Sequence, residues 1–254
     1  MSTKFASRAV TPAGRPQREG KPFNVVELLR DHVEHTRNCK KRRRTRAQIL
    51  LAGAIEIERV GYEALTVDLI AERAGVARGT FYLHFKDRSH IASLIMRIYF
   101  AFVRRRRPRG SKQLSTIDAI RRYNQYYIAV YSSNVKLLLG RESLWRERAE
   151  VRAHRDAVNT RWARTIKRDV VIRNKEEARG DEVLELSIRA AVAMVDELLR
   201  EIFLHRTPSL SKFADDPDLL CEVLSDLWFK IIYLPTTHPL AEAWPFSFSV
   251  SKNH

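Results

Sequence analysis

The sequence predicts an all-α protein, in which an N-terminal helix-turn-helix domain of three helices is joined to a larger helical domain. Apolar residues recur at helical spacing along most of the chain, and no segment shows the alternation of a strand. Glycine and proline are scarce, with nine of each in 254 residues. A tight, glycine-containing turn between two short helices lies in the first third of the chain.

The positive charge of the chain is concentrated in its first half. The whole chain has 46 Lys and Arg against 30 Asp and Glu, a net charge of +16. Residues 1–112 hold 25 basic and 10 acidic residues, whereas residues 113–254 hold 21 and 20. Such a localised excess is typical of a module that binds a polyanion, because a merely solvated surface needs no asymmetry.

Several classes of protein are disfavoured by what the sequence lacks. No apolar run approaches the roughly 18 residues of a membrane helix, and no secretory signal pattern is present. We therefore expect a cytoplasmic protein without membrane contact. No P-loop, G-x-S-x-G or H-E-x-x-H motif occurs, so we expect neither an enzyme nor a cofactor.

One cluster at the N-terminus has metal-ligand chemistry. His32, His35 and Cys39 follow an i, i+3, i+7 spacing, which would place all three on one helical face. No fourth ligand is evident, and the only other cysteine is Cys221. Surface residues are the favoured interpretation, and no metal is expected.

The first 44 residues are interpreted as a basic extension. Residues 1–22 contain three prolines and are expected to be a disordered tail, whereas residues 23–38 have the spacing of a short extra helix. The run Lys40–Arg44 follows. It is either a solvated segment or an arm that contacts DNA, and Lys41, Arg43 and Arg44 are the candidates for phosphate or minor-groove contacts.

The helix-turn-helix is placed by its capping and turn residues. A helix runs from Thr45 to Gly61, because glycine commonly ends helices. Thr66 is the expected N-cap of the next helix, and Gly75 supplies the turn. A third, short helix covers Ala77–Leu83, and a fourth begins near Asp87.

The third helix has side chains suited to the major groove of DNA. Arg78 suits a guanine edge, Thr80 suits a thymine methyl or an acceptor, and small residues at 77 and 79 permit close approach. Phe81 and Phe85 are expected in the core. The expected DNA contacts within and beside the helix are Thr66, Ala77, Arg78, Gly79, Thr80, Tyr82, His84 and Lys86.

Residues 45–95 resemble the DNA-binding signature of the TetR family. The resemblance rests on Gly61–Thr66 and Ile70–Asp87, where small, aromatic and charged residues agree with the family at fixed spacing. It implies a DNA-binding regulator whose all-helical C-terminal domain binds a ligand and dimerises. Two features depart from the pattern: Ala77 stands where the family usually has Ser or Thr, and the N-terminal extension is long.

The expected domains follow from this resemblance and from the breaks in the sequence. They are a basic N-terminal extension, partly disordered, at 1–44; a TetR-type helix-turn-helix domain at 45–95; a helical effector-binding and dimerisation domain at 96–234; and a C-terminal tail at 235–254.

The C-terminal domain is predicted to contain four long helices after a break at residues 104–111. They cover about 115–139, 143–173, 181–205 and 217–234. The last two are apolar enough to pack on their own domain and on a second subunit, although a monomeric core is the alternative. The candidate ligand contacts are Tyr127, Tyr131, Trp145 and Met194, each of which is otherwise an ordinary core residue.

The expected function is sequence-specific DNA-binding regulation of transcription by a homodimer, most simply a repressor released from its operator by a small apolar or aromatic effector. The alternative is an architectural protein that binds duplex DNA without sequence preference, which the basic N-terminus favours.

Overall fold

A computed structural model describes residues 20–108, 114–173 and 181–233, and within these ranges all regular structure is helical. The expected tails at 1–22 and 235–254 lie almost entirely outside the described residues. The α-helices are α1 Val25–His35, α2 Lys41–Val60, α3 Val67–Arg73, α4 Arg78–Tyr82, α5 Arg88–Arg106, α6 Thr116–Ser132, α7 Val135–Leu139, α8 Arg141–Glu147, α9 Ala149–Arg173, α10 Asp181–Leu199 and α11 Pro217–Tyr233.

The extra helix α1 joins the two domains. Asn24 caps it, since the Asn24 side chain accepts hydrogen bonds from the Val26 and Glu27 amides. The buried Asn134 side chain accepts from the Val25 amide at 2.9 Å and donates to the Phe23 carbonyl at 2.8 Å. The N-terminal segment is thereby fixed to the start of α7 as well as to α2, against which α1 packs.

Helices α2 to α4 and the start of α5 form the N-terminal domain around Ile49, Ile70, Phe81 and Phe85, all of which are buried. Phe81 and Phe85 therefore belong to the core. Glu56 on α2 is also buried, and its carboxylate accepts from Arg73 Nε at 2.6 Å and from Arg59 Nη2 at 2.6 Å. Burial alone would raise the pKa of Glu56, but these two arginines outweigh it and lower the pKa.

The larger domain is built from α5 to α11. Helix α6 packs along α11, α9 packs along α10, and α10 contacts α11. After Leu199 the chain leaves α-helical geometry. It forms a π-helical segment, Arg200–His205, and then a short 3-10 helix, Ser211–Asp215.

Two of the expected long helices are wrong as single units. The stretch 115–139 is interrupted at Ser133–Asn134, because Asn134 turns inward to serve the backbone of α1. The stretch 143–173 is interrupted at Arg148, whose φ of −138° and ψ of 90° are extended. Within the described ranges, no helix is both long and apolar enough to cross a membrane.

Candidate nucleic-acid interface and effector cavity

The turn between α3 and α4 has the geometry that the sequence predicted. Gly75 has a φ of 63°, a left-handed conformation that costs glycine little. The Val76 amide donates to the Ala71 carbonyl at 3.0 Å, which closes the turn. Thr66 caps α3 by accepting from the Leu69 amide at 3.2 Å, which fixes where α3 begins.

One side of α4 is open to solvent although its other side forms core. Arg78, Gly79 and Tyr82 are exposed, and Ala77 precedes them without a side-chain cap. A Cβ added at Gly79 would meet no described atom within 4 Å. Glycine is therefore not required there by packing, and its absence of a side chain leaves the backbone open to a close approach from outside.

Leu83 is an exposed residue of this surface that the sequence reasoning missed. It follows Tyr82 at the end of α4 and is 74% exposed, the largest value among the exposed large apolar residues. An apolar side chain at this position suits the methyl group of thymine. Leu83 could have been found from the sequence, because it directly follows the expected contact Tyr82 and lies between the two expected core residues Phe81 and Phe85.

Arg78 is held in position by its neighbours. Its Nη1 lies 3.0 Å from both carboxylate oxygens of Asp68, and its Nη2 lies 3.5 Å from the Tyr82 hydroxyl. Both Arg78 and Asp68 remain more than half exposed, so the pair is accessible to a competing acceptor. A guanine edge could replace the carboxylate at little cost, because exposed ion pairs are weak.

The basic run forms the exposed first turn of α2 and lies on the same side of the domain as the end of α4. Arg46 donates to the His84 carbonyl at 2.7 Å and covers the Phe85 ring at 4.4 Å. Arg42, one turn earlier, also acts electrostatically on His84. The sequence reasoning named Lys41, Arg43 and Arg44 but missed Arg42 and Arg46, whose i, i+4 spacing places them on one face.

This first turn is electrostatically unfavourable for a helix standing alone. Four consecutive cations, residues 41–44, occupy the positive end of the α2 dipole, and no acidic residue offsets them. Lys40, at the N-cap, makes no side-chain capping bond. Such an arrangement is stabilised when a polyanion lies against it.

His84 is poised to respond to such a polyanion. Partial burial lowers the pKa of His84, and the charges of Arg46 and Arg42 lower it further. The ring is therefore neutral near pH 7 in the free protein. Lys86, two residues later, is exposed.

The larger domain contains a partly open cavity of about 280 Å³ between α5, α6, α9, α10 and α11. A second lobe of about 190 Å³ shares Tyr123, Asn124, Trp162 and Trp228 with it. Its walls are largely aromatic and aliphatic, as in small-molecule sites. Tyr123 and Trp162 stack with ring centroids 4.5 Å apart.

The cavity has a polar inner wall. Arg155 and Asp196 form an ion pair there, with side chains 12% and 15% exposed, and the Tyr127 hydroxyl donates to Asp196 at 2.6 Å. Burial lowers the pKa of Arg155 and raises the pKa of Tyr127. A ligand in the cavity would meet this polar group beside aromatic and aliphatic side chains, and it would also meet Arg104 and Arg161, which line the same cavity.

Of the four expected ligand contacts, only Tyr127 lines the cavity. Tyr131 and Trp145 do not line it, although Arg155, which does, lies 5.9 Å from the centroid of the Trp145 ring. Met194 packs against the core but does not line either lobe.

A polar clamp connects the two domains at the start of α9. Arg148 donates to Asp87 at 2.7 Å and to the Ser89 hydroxyl at 2.7 Å, while Tyr62 donates to Glu147 at 2.6 Å. Burial alone would raise the pKa of Asp87, but bonds from Ser89, the His90 amide and Arg148 lower it to about 2. Since α9 also lines the cavity, the clamp joins the cavity wall to the base of α5.

Close packing reinforces the clamp. A Cβ at Gly140 would collide with the Cβ of Tyr62, so the loop after α2 lies directly on the start of α8. Arg88 donates to the carbonyls of Glu63 at 2.9 Å and Leu65 at 3.0 Å.

Comparison with known proteins agrees with this architecture. Residues 49–93 match the family model described as bacterial regulatory proteins, tetR family. A search of curated protein sequences gave no significant match. The fatty acid degradation regulator FadR from Bacillus halodurans has a similar fold, with 18% identity, a TM-score of 0.52, and coverage of 72% of this chain and 94% of that one.

A second solved structure is similar at a lower level. The transcriptional regulator FadR from Bacillus subtilis, in complex with stearoyl-CoA, has 19% identity and a TM-score of 0.48, and the match covers 73% of this chain and 97% of that one. The matched segment at 49–93 contains α3, the Gly75 turn and α4, whose geometry is that of a helix-turn-helix. Residues 49–93 therefore form a helix-turn-helix DNA-binding domain of the kind found in the tetR family of bacterial regulatory proteins.

Proposed function

We propose that this regulator is a homodimeric repressor, which reads its operator with α4 and releases it when a small apolar or aromatic effector occupies the cavity. The proposal rests on one observation: α4, the residues that directly follow it and the first turn of α2 form one exposed surface. Exposed Arg78 and Leu83, with the half-buried Thr80 between them, offer contacts to base edges, while the cations at 41–44 and Lys86 face phosphates.

The basic residues at 41–44 contact DNA as part of a helix. Because α2 begins at Lys41, the side chains at 41–44 project from a fixed turn beside His84. Ala77, Gly79 and Tyr82 complete the surface, with Tyr82 and the Thr66 end of α3 placed for phosphates. Each phosphate contact adds close to one unit to the salt slope of binding.

Binding to DNA is tested with the duplex upstream of the protein's own gene against a scrambled duplex, from about 50 to about 200 mM salt. Arg78→Ala is expected to lose about 1–3 kcal/mol on the upstream duplex alone. Arg122→Ala on α6, also exposed, removes the same charge away from the surface and should bind normally. Equal, steeply salt-dependent binding to both duplexes would instead indicate an architectural protein.

Dimerisation is proposed to use α10 and α11. Val183 and Leu186 on α10, and Leu219 and Val223 on α11, are exposed apolar residues whose spacing gives each helix an apolar stripe. Two subunits would then present α4 to half-sites about 34–36 Å apart.

The dimer is tested by sedimentation of a Leu186→Glu, Val223→Glu double variant. The double variant should be monomeric. It should also bind the operator weakly, because each subunit must then bind its half-site as an independent molecule. A Leu139→Glu variant is the control, since Leu139 on α7 is 48% exposed and lies outside both stripes. A dimeric double variant would refute this interface.

The effector cavity is tested with the neutral aromatic dye N-phenyl-1-naphthylamine. Val192 lines the cavity, so Val192→Phe should fill it and abolish dye binding, whereas Val171→Phe on the exposed side of α9 should not. By linkage, a dye that weakens operator binding must itself bind more weakly to the DNA complex. Equal dye binding by both variants would exclude the cavity as the site.

A further inference from the structure

The effector cavity has an excess of positive charge on the side formed by α5 and α9. Arg104 on α5 and Arg161 on α9 both line the cavity and are exposed, and neither forms an ion pair with a described residue. Asp196 is the one acidic residue among the described residues that line this cavity. Its carboxylate is already engaged, because it pairs with Arg155 and accepts from the Tyr127 hydroxyl.

Two ring contacts show where these two arginines lie. The Phe100 ring on α5 lies 6.3 Å from the His154 ring on α9, and further along both helices Arg107 lies 4.5 Å from the centroid of the Trp162 ring. The two helices therefore run side by side in the same direction over about 10–12 Å, at 1.5 Å per residue. Both exposed arginines of the cavity fall between these two contacts.

The electrostatics of His154 agree with this placement. Partial burial lowers the pKa of His154. The charges of Arg97, Arg161 and Arg104 lower that pKa further, so cations from both helices lie close to this one ring. Like charges gathered in this way repel one another, and an anion placed between them would relieve the repulsion.

Aromatic rings lie directly beside these cations. The Trp162 ring, which Arg107 covers, stacks on Tyr123 with ring centroids 4.5 Å apart, and Tyr123 stacks on Tyr127 at 6.0 Å. All three rings line the cavity. A ligand with an apolar body would lie against these rings, and one end of it would reach the exposed arginines where the cavity meets solvent.

We propose that the effector is an amphipathic organic anion, whose apolar body occupies the cavity and whose acidic group lies between Arg104 and Arg161 at its mouth. Guanidinium groups bind the oxygen atoms of carboxylates, sulfonates and phosphates through paired N–H donors. A cationic effector of the same shape is disfavoured by the same two charges. The inference rests on the effector role proposed for the cavity, and it adds the charge of the ligand.

The charge of the ligand is tested with two dyes that share one aromatic body. 8-Anilino-1-naphthalenesulfonate differs from N-phenyl-1-naphthylamine by a single sulfonate group. The dissociation constants of both dyes are measured by fluorescence titration of the full chain, and their ratio reports the sulfonate because the shared body contributes to both. Raising the salt from about 50 to about 200 mM should weaken binding of the sulfonate and leave binding of the neutral dye unchanged.

The two arginines are tested by an Arg104→Gln, Arg161→Gln double variant. It should bind the sulfonate about tenfold more weakly or worse, since two charge-assisted contacts are lost, and it should bind the neutral dye within about twofold of wild type. Binding of the neutral dye also shows that the variant is folded. Arg164→Gln is the matched control, because Arg164 is exposed on the same helix but lines neither lobe of the cavity.

Val192→Phe shows whether the sulfonate binds in the cavity. Val192 lines the cavity, so this variant should lose both dyes. An unchanged ratio of dissociation constants in the double variant, an equal change in Arg164→Gln, or sulfonate binding that survives Val192→Phe would overturn the proposal. If the neutral dye binds and weakens operator binding while the ratio stays unchanged, only the charge of the ligand is refuted. If neither dye binds the wild type, the effector role of the cavity is refuted as well.

Discussion

Replacing Gly79 with alanine separates what this residue does for the fold from what it does at DNA. A methyl group at Gly79 meets no described atom within 4 Å, so the free protein has room for it. Alanine is favoured over glycine in a helix by about 1 kcal/mol, and in a helix of five residues we expect a gain of about 0.5–1 kcal/mol. Operator binding should nevertheless weaken, because the methyl group would stand between α4 and the base edges.

The expected loss of affinity is about tenfold or more, equivalent to about 1.4 kcal/mol, since a clash moves the whole helix away from its contacts. Stability is measured by urea unfolding and affinity by fluorescence anisotropy on the upstream duplex. A Gly79→Ala protein that is stabilised and binds DNA normally would refute the close approach of α4 to DNA.

Gly75→Ala is the matched control for the same substitution in equally open space. A Cβ at Gly75 also meets no described atom within 4 Å, but φ there is 63°, so the cost is in the backbone alone. We expect a loss of stability of about 1–2 kcal/mol. The opposite signs of the two stability changes would show that backbone conformation, and not crowding, separates these glycines.

Three further predictions concern charged and titrating groups. Glu56→Gln should destabilise the N-terminal domain by about 1–3 kcal/mol in urea unfolding, whereas Glu63→Gln, at an exposed position, should be neutral; equal effects would contradict a role for the buried carboxylate. The pKa of His84 is lowered in the free protein, so protonation of the ring destabilises the free fold as the pH falls, whereas DNA phosphates would stabilise the protonated ring. Operator affinity should therefore rise as the pH is lowered from about 7.5 to about 5.5. The same dependence of affinity on pH in His84→Gln would exclude His84 as the titrating group. The pKa of Asp87 is lowered to about 2, so its ion pair with Arg148 stabilises the fold above about pH 4, and this stabilisation is lost as the pH falls toward 2. Arg148→Met should flatten the acid dependence of the free energy of unfolding and reduce the effect of the dye on operator binding. An acid dependence like that of the wild type would refute the clamp.

The helix-turn-helix was predictable because its determinants are local. Thr66 caps the helix that follows it, and Gly75 takes the left-handed conformation that the turn requires. The buried Phe81 and Phe85, four positions apart, and the exposed Tyr82 and Leu83 between them separate the core side of α4 from its open side. Each of these features depends on residues within a few positions of one another, so sequence spacing is sufficient to find them.

The interruptions of the C-terminal helices were not predictable for the opposite reason. Asn134 breaks the expected helix 115–139 because it bonds to Phe23 and Val25, more than a hundred residues away in the chain. Arg148 likewise leaves helical geometry where it reaches Asp87, 61 residues earlier. Local propensity contains no information about such partners.

The effector region was predicted only in part. Aromatic side chains on α6 and α8 were candidates for a cavity, yet spacing could not tell which face each would occupy. Tyr127 lies on the cavity wall, whereas Tyr131 and Trp145 do not line the cavity.

The central claim, that α4 reads bases in the major groove through Arg78, is tested most directly by a double-mutant cycle with the operator. Each guanine of the bound sequence is replaced in turn by 7-deazaguanine, which lacks the N7 acceptor, and affinity is measured for wild type and Arg78→Ala. We predict one guanine per half-site whose replacement costs wild type about 1–3 kcal/mol and costs Arg78→Ala nothing further. Equal losses in both proteins at every guanine would contradict the claim.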